Sequence, residues 1–301
     1  VGILSWWFGW RSLRGTRWQQ YRSAVISSEI AFWFAFGVFL FLRWRYPDLW
    51  HPYFGGEKPM ELAYANAIAR SRWMPPYDPW FADGVQNYYY YGFFLVALLW
   101  KLSGILPDRA FQLTLATFAG LVASVVASLG MELARRVLGT TPQRDRWVVL
   151  GAAGAVWWVL FAGNLDPLLQ VIAKRSLAID FWQSSRVVAH AITEFPYFSF
   201  LYADLHPHLL ALPVWLGAVA LLVASHDAEG LARPKRLLRW FALVFCAGTA
   251  AVINSWDLPL ASALVLLGTF VIVRPRSFRA LLLLVPLAGL GILGMRAFYW
   301  P

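Results

Sequence analysis

Residues 24–42 read AVISSEIAFWFAFGVFLFL, and the only ionisable side chain among them is Glu29. As a helix, a run of this length spans about 29 Å, which matches the hydrocarbon core of a bilayer. Similar runs recur along the chain. They are continuous, whereas membrane β-strands alternate at every second residue. The stretch therefore predicts a membrane-spanning helix within an all-α polytopic protein.

The composition of the whole chain leads to the same class. Of 301 residues, 59% are hydrophobic and 14% are charged, whereas about a quarter of the residues in soluble domains are charged. The mean hydropathy is +0.54. These values exclude a soluble enzyme. They also exclude an intrinsically disordered chain, because disorder requires low hydrophobicity.

The sequence predicts about seven complete spans in a single transmembrane domain that covers residues 1–301. Val1–Trp10 has the composition of the end of a further, truncated span. The chain starts without methionine and ends on a hydrophobic run, so we expect a segment of a longer protein. The predicted complete spans are Ala24–Leu42, Ala110–Leu133, Trp147–Gly163, Leu209–Ser225, Trp240–Ile253, Leu258–Val273 and Ala280–Gly294.

The basic residues indicate how these spans are oriented. They form four clusters between the apolar runs, which is typical of cytoplasmic loops and explains the net charge of +10 without nucleic acid. All four clusters lie on one side only if the apolar stretch Tyr88–Ser103 does not cross. We therefore predict an interfacial or re-entrant helix there. The clusters are Arg11, Arg14, Arg17 and Arg22; Arg135, Arg136, Arg144 and Arg146; Arg233, Lys235, Arg236 and Arg239; and Arg274, Arg276 and Arg279.

Two long loops, residues 43–108 and 164–208, then share the opposite face. They contain most of the acidic residues, which are Asp48, Glu57, Glu61, Asp78, Asp83, Asp166, Asp180, Glu194 and Asp204. We expect a multi-pass protein of the cell membrane, with both loops and the chemistry on the extracytoplasmic side.

The first outer loop contains candidate catalytic residues. Glu57 and Glu61 are four residues apart, and both can face one point if the turn that starts near Pro59 is helical. A carboxylate there can take the proton of an acceptor hydroxyl. Lys58 can stabilise the charge that grows on a phosphate leaving group. The alternative is that these are solvated charges that fix a short amphipathic helix.

The second outer loop contains a possible metal-binding segment. Asp204, His206 and His208 lie within five residues, and their side chains suit zinc. Pro207 favours an extended or turn geometry, and a further ligand would have to come from elsewhere in the chain. We favour a hydrogen-bonding role at the membrane boundary and predict no metal site. The single cysteine, Cys246, excludes a disulfide within the chain and a Cys-based metal site.

The remaining candidates lie in the same two loops. Asp166 follows a span in the string NLDP, where an acid is typical of a helix terminus or of a site. The tyrosine run can contact a sugar or a phosphate, although it is explained most simply as an aromatic belt. The candidates for substrate binding, besides those above, are Asp48, Arg70, Arg72, Asp78, Tyr88, Tyr89, Tyr90 and Glu194.

Two strings resemble a known family. They are PDLWHPYFGGEKPMELAYANAIARSRWMPPYDPWFADGVQNYYYYG (residues 47–92) and EFPYFSFLYADLHPHLLALP (residues 194–213). Both are similar to those of an uncharacterised bacterial and archaeal membrane family, a domain of unknown function named for its tyrosine-triplet motif and grouped with the C-type glycosyltransferases. The resemblance extends from about Trp18 to the end of the chain.

This resemblance implies a C-type glycosyltransferase (GT-C) fold and a polyprenyl-phosphate-linked sugar as donor. Glu61, in the helix ELAYANAIA, resembles the acid that opens the loop helix of aminoarabinose and protein-mannosyl transferases, which usually have Asp there. The longer Glu keeps the carboxylate and extends its reach. Asp166 resembles the acid of their outer Leu-Asp motif. The Asp-x-Asp motif of metal-dependent oligosaccharyl transferases is missing, which argues against a required divalent metal.

The sequence thus favours an integral-membrane glycosyltransferase. Glu57 or Glu61 is its expected base, and Lys58, with Arg70 or Arg72, holds the phosphate. Its expected partners are the lipid-linked donor and membrane lipids, and not nucleic acid. The alternatives are a non-enzymatic scaffold or complex subunit with the same fold, or a transporter. Transporters place ionisable residues at the midplane and often contain inverted repeats, neither of which is evident here.

Overall fold

The computed structural model describes residues 18–50, 56–139, 141, 144–225 and 230–274. These residues are helical throughout, apart from loops and one isolated antiparallel bridge between Tyr77 and Val85. The helices are α1 Trp18–Arg45, α2 Lys58–Arg70, α3 Tyr91–Ser103, α4 Pro107–Leu138, α5 Asp145–Val156, α6 Asp166–Lys174, α7 Phe181–Ser184, α8 Pro196–Tyr202, α9 Pro207–Ser225, α10 Arg233–Ile253 and α11 Leu258–Gly268. Short π-helical segments, Trp157–Ala162 and Thr269–Val273, continue α5 and α11.

Six helices of the described chain are long and apolar enough to cross a membrane. They coincide with six of the predicted complete spans, from the one at Ala24–Leu42 to the one at Leu258–Val273. The predicted spans Val1–Trp10 and Ala280–Gly294 lie outside the described residues. Helix α3 is apolar but has only 13 residues, about 20 Å of helix. It is therefore too short to cross, in keeping with the predicted interfacial or re-entrant helix.

Helices α1 and α4 form the most extensive contact in the bundle. A Cβ atom at Gly120 would lie 2.8 Å from the ring of Phe32 and 3.1 Å from its carbonyl oxygen, so glycine is what allows the two backbones to approach. The hydroxyls of Ser28 and Ser128 share a hydrogen bond of 2.6 Å across the same interface. Small and hydroxylated side chains are typical of helix contacts within membranes.

Helices α2 and α3 pack on each other, and α3 also contacts α4, α9 and α10. The indole of Trp100 on α3 donates a hydrogen bond of 2.8 Å to Thr114 on α4, and Gly92 lies against Leu210 and Ile253. Helix α2 begins at Lys58, so the turn near Pro59 is helical, as is required for Glu57 and Glu61 to face one point. Pro59 in its first turn has the backbone torsion that a helix start requires.

The surface of the bundle carries large apolar side chains. Trp33 is 61% exposed, and Phe34 and Phe245 are exposed to a similar extent. A soluble monomer rarely exposes so much apolar surface, whereas lipid tails solvate it. When the six apolar helices are taken as successive crossings and α3 as an interfacial helix, the ends at Arg45, Pro107, Ala162 and Pro207 fall on one side, which we term the site face.

Candidate functional site

The start of α2 places three charged side chains beside the loop that precedes α9, which are those of Glu57, Lys58 and Glu61. Gly56 adopts φ of +57°, and a Cβ atom there would lie 2.9 Å from Oδ1 of Asp204, so a side chain would collide with this carboxylate. Glu57 is the residue before the helix, and Glu61 lies one turn further on. Both contact the imidazole of His206.

Glu61 is only 1% exposed, and both of its carboxylate oxygens are engaged. Oε2 accepts a hydrogen bond of 2.7 Å from the backbone N–H of Leu205, and Oε1 lies 2.7 Å from Nδ1 of His206. The contacts join α2 to the loop before α9. They hold the imidazole in one orientation, as a carboxylate behind a functional histidine does.

The pKa values of Glu61 and His206 are both raised. Burial raises the pKa of Glu61 even though the bond from His206 opposes the shift. Burial alone lowers the pKa of His206, but the carboxylates of Glu61, Glu57 and Asp204 outweigh it and raise this pKa to about 9. Nε2 of His206 lies on the side of the ring away from Glu61.

Glu57 lies on that other side of the imidazole. Its Oε2 is 3.4 Å from Nε2 of His206, and its side chain is 52% exposed. Glu57 is therefore the carboxylate of this group that solvent and substrate can reach. The order Glu61, His206, Glu57 runs from the protein interior to the surface.

Asp204 completes the group on its buried side. Its Oδ1 is inaccessible and accepts no hydrogen bond from any residue that the structure describes. Burial and the nearby carboxylate of Glu61 raise the pKa of Asp204 to about 7. Lys58 is buried next to it and donates a hydrogen bond of 3.0 Å to the carbonyl of Tyr202. Burial lowers the pKa of Lys58, and the acids around it partly offset this.

A second cation approaches from the end of α1. Arg43 is 4% exposed. It donates to Oε1 of Gln112 at 2.6 Å and to the carbonyl of Asp48 at 3.4 Å. Asp48 itself accepts a hydrogen bond from the backbone N–H of Trp50. Asp48 thus lies at the edge of the group and helps to hold Arg43 there.

Glu194 and His208 form a second pair beside the first. Nε2 of His208 lies 3.3 Å from Oε2 of Glu194, which also accepts a hydrogen bond of 2.9 Å from Ser199. Burial raises the pKa of Glu194, but the hydrogen bonds from His208 and Ser199 outweigh it and leave this pKa below its usual value. The rings of His206 and His208 are 5.4 Å apart, so the two pairs form one polar surface.

An apolar groove of about 410 Å³ begins at the Glu194–His208 pair. It follows α9 past Leu212 and Trp215 to Val219, about 16 Å of helix. Trp215 donates a hydrogen bond of 2.7 Å to Asp257 on its far wall. The groove therefore has polar side chains at its Glu194–His208 end and apolar side chains along α9.

Tyrosines line the approach to Glu57. Tyr88 is half-buried and its ring lies 5.5 Å from that of Tyr64 and 4.5 Å from that of Tyr89. Burial and the charge of Glu57 raise the pKa of Tyr88. Tyr90 is 2% exposed and belongs to the core. Tyr88 and Tyr89 thus lie side by side and partly exposed, whereas Tyr90 is buried.

Asp166 lies in a different network. Its Oδ2 accepts hydrogen bonds of 2.7 Å from both Gln170 and Ser184, which lower its pKa. Gln170 also bonds the backbone of Asp180. These contacts fold the second loop, and among the described residues none of them links Asp166 to Glu61.

The other predicted residues lie at the edge of the site. Arg70 and Arg72 are exposed near the end of α2, and Arg72 lies over the ring of Trp73. Asp78 accepts a hydrogen bond of 2.8 Å from the backbone N–H of Trp80 and so stabilises a turn.

Several residues of the site were not predicted from sequence. Tyr64 is one turn from Glu61, and that spacing is the signal that places it on the same face of α2. Arg43 ends an apolar run, and sequence alone suggests an interfacial arginine there. No sequence pattern marks Ser199 or Gln112 as part of the site. Ser199 belongs to it through its hydrogen bond to Glu194, and Gln112 through its hydrogen bond from Arg43.

A family model described as "Uncharacterized membrane protein (DUF2298)" matches residues 1–299. No curated protein and no solved structure matches the chain.

Proposed function

We propose that this chain, which belongs to the DUF2298 family of uncharacterized membrane proteins, is an integral-membrane glycosyltransferase of the C type. It transfers a sugar from a polyprenyl-phosphate donor to an acceptor hydroxyl at the site face. The site face is the extracytoplasmic side in this proposal, because the basic clusters lie at the other ends of the spans.

One observation carries the proposal. The polar group around His206 adjoins, through the Glu194–His208 pair, an apolar groove that runs along α9, one of the helices that are long and apolar enough to cross a membrane. A substrate that fits both parts has a long apolar chain and a polar, reactive head. A lipid-linked sugar has this form.

Glu57 is the base in this mechanism. It takes the proton of the acceptor hydroxyl while the hydroxyl oxygen attacks the anomeric carbon of the sugar. The bond from that carbon to the phosphate oxygen breaks, and its electron pair leaves with polyprenyl phosphate. A direct displacement of this kind inverts the anomeric configuration. General base catalysis contributes about 10²–10⁴-fold to such a step.

Glu61 acts through His206 and is a positioning residue. Both of its oxygens are engaged inside the protein, whereas Glu57 is half-exposed. The sequence left the base open between these two acids, and exposure favours Glu57. Lys58 and Arg43 offset the negative charge of Asp204 and Asp48. Arg70 and Arg72 are exposed, but they lie at the opposite end of α2 from Glu57, about 20 Å away along the helix, so a phosphate at Glu57 is beyond their reach.

The arrangement favours an enzyme over the alternatives. A scaffold does not need a half-exposed carboxylate beside a histidine whose other nitrogen is held by a buried carboxylate. A transporter requires ionisable groups along a path through the membrane. Among the described residues, the charged side chains that contact one another around His206 lie instead at the helix ends on the site face.

The proposal is tested with full-length protein in liposomes and a panel of polyprenyl-phosphate sugars. Mass spectrometry follows the release of free polyprenyl phosphate in the presence of membrane extract as acceptor. We expect release from one donor class above the rate of protein-free liposomes. Release from none of the donors would overturn the proposal in favour of the scaffold.

A further inference from the structure

We infer that Glu61, Asp204 and His206 bind a divalent cation, with Zn²⁺ as the best-suited probe. Binding itself stands on the geometry of these three residues. Only the use of the ion in catalysis rests on the proposed function.

The three side chains lie close enough together to form a metal site after small movements. One ligand atom from each lies within 4.8 Å of the other two. Nδ1 of His206 is the nitrogen on the Glu61 side, 2.7 Å from Oε1. A small movement of these side chains brings all three atoms to the distances of about 2.0–2.2 Å at which nitrogen and oxygen ligands bind zinc.

Asp204 supplies the second, independent observation. A carboxylate oxygen that is shielded from water is expected to accept a hydrogen bond, because an unsatisfied acceptor destabilises the fold. Oδ1 of Asp204 is inaccessible and accepts none from the described residues, and the backbone of Gly56 lies against it, since a Cβ atom there would be 2.9 Å away. A bound cation would satisfy this oxygen and would also offset the repulsion between Asp204 and Glu61.

Glu57 lies where a carboxylate partner of a metal-binding histidine is expected. Histidines that bind metals usually donate their other ring N–H to a carboxylate or a carbonyl. Nε2 of His206 lies 3.4 Å from Oε2 of Glu57, while Nδ1 faces Glu61. The cation would replace the hydrogen bond between Glu61 and His206, because a metal ligand must bind in its deprotonated form.

The donor set identifies the class of ion. Two carboxylates and one imidazole suit Zn²⁺ or Mn²⁺ and are too nitrogen-rich for a typical Ca²⁺ or Mg²⁺ site. Three protein ligands leave a coordination position open, as in catalytic zinc sites. If the proposed function holds, an ion held by these residues would supply Lewis-acid stabilisation to the phosphate leaving group.

The test measures metal binding and requires no substrate. Full-length protein with its affinity tag removed is stripped with EDTA, and Zn²⁺ is titrated by calorimetry, with the bound metal counted by mass spectrometry. We expect one ion per chain. Asp204→Asn and His206→Gln should weaken binding by about a hundredfold or more, and Glu57→Gln by about tenfold.

His208→Gln is the matched control, since His208 has the same side chain two residues away and pairs with Glu194 instead. It should bind Zn²⁺ as the wild type does. Absence of stoichiometric binding, or a loss in His208→Gln that Asp204→Asn does not share, would overturn the inference. If the variants fail to fold, pulsed EPR of Cu²⁺-loaded wild type decides. One coordinated imidazole supports the site, and none or several contradicts it.

Discussion

Nδ1 of His206 lies 2.7 Å from Oε1 of Glu61, although 145 positions separate the two residues in sequence. This contact joins the helix that follows the first span to the loop that precedes α9. Because Glu61 is buried and Glu57 lies on the other ring nitrogen, the imidazole is held between an interior and an exterior carboxylate. The candidate site is built around this histidine.

Glu61→Gln should destabilise the fold. The variant keeps the shape of the side chain but loses a hydrogen bond between charged groups, which is worth about 2 kcal/mol. We expect a lower midpoint of unfolding in detergent, measured by thermal or SDS titration.

Glu132→Gln is the control for that variant. Glu132 pairs with Arg136 on the same helix, and its side chain is 41% exposed. Such surface pairs contribute about 0.5 kcal/mol or less. Equal stability losses in the two variants would show that Glu61 has no special role in joining α2 to α9.

The stabilising contribution of Glu194 should be lost in acid. Its pKa is lowered in the fold because the hydrogen bonds from His208 and Ser199 outweigh burial. A lowered pKa means that the stabilising contribution is complete above the unfolded pKa, near 4.3, and is lost as the pH falls through the folded value. The melting temperature of the wild type should therefore fall more steeply below about pH 5 than that of Glu194→Gln. Parallel curves for the two proteins would contradict this assignment.

The groove along α9 should determine the apparent affinity for the lipid chain. Val219→Trp fills its apolar end, so we expect KM for a long-chain polyprenyl donor to rise about tenfold with little change in kcat. A water-soluble short-chain donor should be unaffected. Leu267→Trp, at a half-exposed position on α11 outside the groove, is the control. An equal effect of both variants, or of Val219→Trp on both donors, would place the lipid elsewhere.

The membrane architecture was predictable from sequence because hydrocarbon imposes a strong constraint. Backbone groups must pair within each span, so length and hydropathy were enough to predict the six described spans. The charge pattern also predicted that Tyr88–Ser103 does not cross, and α3 has only 13 residues. The helical turn near Pro59 was also considered from sequence, and α2 begins at Lys58.

The site was predictable only in part. Glu57, Glu61, Asp204 and His206 were all named from sequence, but their mutual contacts were not, because no periodicity relates residues in distant segments. The sequence required a further ligand from elsewhere if the Asp204–His208 segment bound a metal. The structure brings Glu61 to that position and turns His208 to Glu194. Asp166 was also named as a candidate from sequence, but its hydrogen bonds to Gln170 and Ser184 stabilise the second loop instead.

The most direct test of the account is the initial rate of polyprenyl-phosphate release from the donor that the wild type uses, compared between wild type and Glu57→Gln. Asp83→Asn, at an exposed acid of the same loop, is the control in matched proteoliposomes. We predict a loss of at least about a hundredfold in Glu57→Gln, an unchanged melting temperature, and wild-type release from Asp83→Asn. Release by Glu57→Gln at the wild-type rate would contradict the role of Glu57 as the catalytic base.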